Sequence, residues 1–211
     1  MKFNGCGTNT KESMRLRNER NNGRSKHLHC CCSYCVYMAD FIMTPDKLAK
    51  SGSEHAHQTA LFAYTAVAYL HGFDAADEWC KTGVFPKLVE GQPPAVPALQ
   101  WFHAIHNQGH GDKVRGGMAK AEGVRKGIAD CFLPWPILDP HTAYKTIMWC
   151  GLYIEMKKPS EQPKSETAKG GVSDEQAKFG KYAKSVGYGF AVCYSWEHAA
   201  SVLRSYIEWS G

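Results

Sequence analysis

An alternating apolar run that carries an ion pair can satisfy very few folds, and Gly151-Leu152-Tyr153-Ile154-Glu155-Met156-Lys157-Lys158 is such a run. Read as a strand, it turns Leu152, Ile154 and Met156 to one face and Tyr153, Glu155 and Lys157 to the other. The first face is apolar and belongs under a helix. The second sets a carboxylate and an ammonium side by side, and buried charge is costly unless it is paired or bound to a metal. A second candidate strand, Gly127 to Pro134, lies shortly upstream. If the two strands are neighbours, Asp130 meets Glu155 across them. Two carboxylates and a lysine at one point suit a hard divalent cation and a phosphate ester.

Charge and cysteine are unevenly spread. Of 25 Lys and Arg and 20 Asp and Glu, residues 1–42 carry seven and three, so the remainder is close to neutral. Nucleic acid binding by the main body therefore requires a local patch rather than net charge. Five of the nine cysteines (6, 30, 31, 32 and 35) fall in the same first segment, and Cys80, Cys131, Cys150 and Cys193 sit in apolar contexts. An odd count without a framework fits free thiols in a reducing, intracellular compartment. No run of eighteen apolar residues is present, so no membrane span is expected.

Residues 1–42 read as a disordered, basic, Cys-rich extension, with Met38 or Met43 as sensible start points for the domain over 43–211. Cys32 and Cys35 with His27 or His29 make an incomplete zinc motif, because a second spaced pair is missing. Ser53 or Ser51 caps a helix from Glu54 to His71, ended by Gly72, with Ala60, Tyr64, Val67 and Ala68 as its apolar stripe. A second helix is expected from Asp74 to about Val89, and a strand over Leu99 to Ile105. A glycine-rich polar loop, 106–117, leads to a short helix around Met118 to Glu122. Residues 135–146 read as a long link, and 158–171 as a mobile exposed loop. Ser173-Asp174-Glu175-Gln176 starts a helix with a capping box, closed by Gly187. Tyr188 to Tyr194 is a strand, and Ser195 caps the last helix to about Glu208. The order implies an α/β fold, a mixed sheet flanked by helices.

This order resembles the PD-(D/E)XK (restriction endonuclease-like) superfamily, with its α-β-β-β-α-β core, and more closely its VRR-NUC branch of small phage and bacterial type. The resemblance rests on 53–58 (SEHAHQ), 102–109 (FHAIHNQG), 118–130 (MAKAEGVRKGIAD), 151–158 (GLYIEMKK) and 170–176 (GGVSDEQ). It covers about 53–209. Ala129 stands where the family usually has Pro before the Asp, and His106 where it commonly has Pro. Neither position is a ligand, and proline loss alters stiffness more than chemistry.

The resemblance implies a Mg²⁺-dependent DNA endonuclease, with Mn²⁺ able to substitute, acting on structured or branched DNA in replication or repair. A bacterial or phage-infected cytoplasm is the implied setting, and a homodimer suits the two-fold character of a junction. Asp130 and Glu155 would hold the metal, with the Met156 carbonyl as a further ligand. Lys157 would orient the attacking water and stabilise developing charge. Glu54 resembles an acid that many members project from the first helix toward the metal; it is also an acid favoured by a helix N-terminus. Gln176 matches the family's helix glutamine beside the site, and it is also the capping-box partner of Ser173. Asn107, Lys113, Arg115, Lys120, Arg125, Lys126 and Lys158 would meet DNA phosphates, the alternative being a solvated charged face. The rival reading is a catalytically silent DNA-binding module with the same fold.

Overall fold

The computed structural model describes residues 43–87, 89, 91–106, 117–118, 121–143, 145–165, 168 and 170–209. The expected extension over 1–42 lies outside the described residues. The elements are α1 (Pro45–Ala49), α2 (Glu54–His71), α3 (Phe73–Thr82), β1 (His103–Ala104), β2 (Cys131–Leu133), β3 (Ile137–Leu138), β4 (Ile147–Trp149), β5 (Leu152–Met156), α4 (Asp174–Ser185), β6 (Gly189–Cys193) and α5 (Trp196–Glu208). The chain is α/β, with a small mixed sheet and helices around it.

Local chemistry explains most helix boundaries. Ser53 Oγ accepts from the Ala56 amide and Ser195 Oγ from that of His198, so both helices start with a satisfied donor. Gly72, at φ 93°, ends α2 as expected, its N–H donating to Ala68 O. The expected second helix stops early, because left-handed Gly83 (φ 71°) returns its N–H to Trp79 O. The expected strand over 99–105 is mostly a 3-10 turn, Pro97–Trp101, with proline setting its first φ. Only His103 and Ala104 remain as strand. The supposed link over 135–146 instead holds β3, which pairs antiparallel with β4 just beyond it.

The main sheet runs β1-β2-β5-β6. β1 and β2, and β2 and β5, are antiparallel; β5 and β6 are parallel, joined through α4 as a parallel pair requires. Leu152, Ile154 and Met156 face the layer formed by α2 and α5 and are buried. Leu61, Val67 and Leu203, all fully buried, fill that layer, each worth about 1.5–3 kcal/mol of burial. Within it the Trp196 amide donates to buried His57 Nδ1 at 3.3 Å, which ties the start of α5 to α2. The other face of β5 and β6 carries α4. There Gly180 lies so close to the Phe190 ring that a Cβ would stand 2.7 Å from it, and this close approach seats the helix.

Candidate active site

The site forms where β2 begins beside the end of β5. Cys131 pairs with Ile154, so the residue before β2, Asp130, stands opposite Glu155. The sequence expects this meeting if the two strands are neighbours, and the sheet pairs them. Asp130 Oδ2 accepts from the Met156 amide at 2.8 Å, which fixes the carboxylate to the end of β5. Met156 is also the residue whose carbonyl the sequence assigns to the metal. Ile105 N donates to Asp130 O at 2.7 Å, tying the backbone on the β1 side as well.

Glu155 is fully buried, and Lys157 nearly so. Lys157 Nζ lies 2.8 Å from Glu155 Oε1 and 3.9 Å from Glu54 Oε2. The α4 residue Gln176 also donates, through Nε2, to the same Glu155 oxygen. Its own Oε1 accepts from the Ser173 amide at 2.9 Å, while Ser173 Oγ accepts from Gln176 N at 3.2 Å. Gln176 thus forms the expected capping box and also contacts Glu155. Glu54 sits in the first turn of α2, and its carboxylate lies near Lys157.

Glu155 Oε2 is buried and has no hydrogen-bond partner among the described residues. Burial, reinforced by the nearby Asp130 charge, pushes the Glu155 carboxyl up to about 7 against the pull of Lys157. Burial also raises the Glu54 carboxyl; Lys157 opposes this and Asp130 adds to it. Burial alone would lower the Lys157 ammonium, but Glu155, Glu54 and Asp130 together hold it above its ordinary value. The cluster is thus short of positive charge: three carboxylates share one lysine.

Among the described residues, no three of His, Cys, Asp and Glu already stand as a metal cage. Mg²⁺ does not need one, since it commonly takes one or two carboxylates and completes its shell with water and substrate phosphate. The residues present fit such an ion. Their donors are hard oxygens, and one buried oxygen lacks a partner among the described residues.

Of the residues assigned to DNA, Arg125, Lys126 and Lys158 are exposed on the segments that enter and leave the site. The first two precede Gly127, whose positive φ of 80° and contact with Glu175 bring that segment against the start of α4. Asn107, Lys113, Arg115 and Lys120 lie outside the described residues. The segment after β5 is exposed, as expected, yet it is shaped: Pro159–Glu161 forms a 3-10 turn, and Glu161 Oε2 accepts from Lys158 N at 3.2 Å. Tyr194, close enough to Lys157 to feel its charge, escaped the sequence reading. Its only signal was its position just past β6, level with Lys157 at the end of β5.

No protein-family model, curated protein or solved structure matches this chain. Among the described residues, no helix is long and apolar enough to cross a membrane.

Proposed function

We propose that the chain is a metal-dependent DNA endonuclease of the VRR-NUC type, with a restriction endonuclease-like core. The observation that carries this reading is the buried Glu155–Lys157 pair, with one Glu155 oxygen held by Lys157 and Gln176 and the other without a partner among the described residues. A structural ion pair in a sheet gains by satisfying all its polar atoms, because an orphaned buried oxygen costs about 1–3 kcal/mol. An acceptor kept open beside Asp130 suits a site that takes a cation.

Asp130 and Glu155 would hold Mg²⁺ or Mn²⁺, with the Met156 carbonyl as a third donor and Glu54 on the open side. The ion supplies Lewis acidity, making water a stronger nucleophile and offsetting phosphate charge. Lys157 places a fixed ammonium next to the phosphate and orients the attacking water. Gln176 keeps Glu155 in one orientation. Asp130, held by the Met156 amide, keeps the second carboxylate in register with it. Arg125, Lys126 and Lys158 supply positive charge around the acidic centre.

The test is cleavage by the full chain of a four-way junction, linear duplex and single strand, with Mg²⁺, Mn²⁺ or EDTA. Cutting should require the metal and fall by about two to three orders of magnitude in Lys157→Ala. DNA binding with no cutting of any form under any metal would instead favour the silent module.

A further inference from the structure

One row of side chains crosses the sheet beside this site. The register pairs His103 with Phe132, Phe132 with Tyr153, and Tyr153 with Phe190. Residues directly opposite share a face, so four aromatic rings stand in line on four strands. Phe132 stacks on Tyr153 at 4.4 Å, and His103 meets Phe132 edge-on at 5.8 Å. Tyr188 braces both Phe132 and Tyr153, and Phe179 of α4 meets Tyr153 at 5.1 Å. Helix α4 packs against β6, at one end of the row. Exposure changes along it: Phe190, Tyr153 and Phe132 are half-buried, and His103 is exposed. The His103 ring is fixed from behind, its Nδ1 bonding the Trp101 carbonyl at 2.7 Å.

Glu155 lies two residues from Tyr153 on β5, hence on the same face and about 7 Å along the strand. Asp130 bears the same relation to Phe132 across β2. The aromatic row and the acidic row are therefore parallel, one step apart. An apolar core residue would fill the same space without an exposed ring at the end of the row. Exposed cations stand on the segments that flank it, Arg125 and Lys126 before Gly127 and Lys178, Lys181 and Lys184 on α4, among exposed acids such as Asp174 and Glu175.

We propose that His103, backed by Phe132 and Tyr153, forms a stacking platform for unpaired bases of the DNA strand whose phosphate enters the acidic site. The proposal rests on the nuclease reading and adds the class of substrate: DNA that presents unstacked bases next to the cut. Aromatic rings accept any base, since every base has a π-face, so the platform selects for unpaired strand rather than for sequence. Duplex DNA keeps its bases stacked on one another and offers the platform only its backbone.

The test uses the full chain with Ca²⁺ in place of Mg²⁺, and labelled oligonucleotides read by fluorescence anisotropy. A thymidine strand should bind about tenfold or more tighter than the same strand made abasic, which keeps every phosphate. Exposed His103→Ala should weaken binding of the thymidine strand by about as much and leave duplex binding unchanged. His103→Phe should restore it, since the ring is kept and the ring nitrogens are lost. Equal binding of native and abasic strands overturns the platform, as does equal weakening of duplex and single strand by His103→Ala, which would mark a phosphate contact. If metal-dependent cutting persists in either case, the platform alone has failed. Absence of binding to every DNA form overturns the platform, and absence of cutting in the assay above removes the nuclease reading with it.

Discussion

At the scale of single residues, Glu155 sets the terms. Its carboxyl is raised to about 7 by burial and by Asp130, so the folded chain keeps a proton that the unfolded chain releases near 4.5. Stability without metal should therefore fall as pH rises from about 4.5 to about 7, and this contribution should level off above that. A cation needs the ionised form, so Mg²⁺ should raise the melting temperature more above this window than below it. Thermal melts across pH, with and without Mg²⁺, check both slopes; equal Mg²⁺ effects on both sides would remove Glu155 from the metal site. Gln176 allows a separation of roles. Ser173→Ala removes the cap and should cost about 1 kcal/mol in denaturant melts, with cleavage within a few-fold of the parent. Gln176→Ala loses the reciprocal cap and the Glu155 brace together, and should lower cleavage well beyond its effect on stability. The Glu155–Lys157 pair was legible because period-two alternation is a local rule, whereas the Asp130–Glu155 meeting was legible only on the condition that their strands pair. The aromatic row was not. Its members come from strands far apart in sequence, and β1 is only two residues long, so nothing local marks His103 as a neighbour of Phe132.

At the scale of elements, the helices bounded by caps were readable, and the short or proline-bounded pieces were not. α2, α4 and α5 each begin at a Ser whose hydroxyl accepts an amide three residues on, and that signal is in the sequence. The second helix was read too long because the apolar pattern runs on through Val84 and Val89, while Gly83 adopts the left-handed geometry that ends it. The β3–β4 pair was missed because Pro134, Pro136 and Pro140 punctuate its sequence like a loop, and its strands are only two and three residues long. The α4–β6 contact offers an element-scale prediction. Gly180→Ala would place a Cβ against the Phe190 ring, where the neighbour is a packed aromatic rather than a flexible chain end. About 1–3 kcal/mol of stability should be lost in chemical denaturation. An unchanged midpoint would mean that α4 is not seated on β6 in this way.

At the scale of the whole molecule, two layers meet the sheet with different jobs. The α2–α5 layer carries the fully buried apolar side chains and is also clamped at its rim. Arg204 of α5 bonds Asp74 and Asp77 of α3 and Glu208 of its own helix at 2.8–3.1 Å. These groups are substantially exposed, so Arg204→Ala should cost only about 1 kcal/mol, less at high salt, and leave cleavage unchanged. The α4 layer instead contributes Gln176 to the site. Its first turn is where a helix frays, and its third residue is the one whose amide reaches Glu155. Opening of that one helical turn therefore removes the Gln176 brace and leaves Glu155 to Lys157 alone. On warming, the carboxylate should lose its alignment while the sheet and the α2–α5 layer still hold, so that activity fades several degrees before circular dichroism records melting. Through Gln176, the alignment of this carboxylate depends on a helix end as well as on the core.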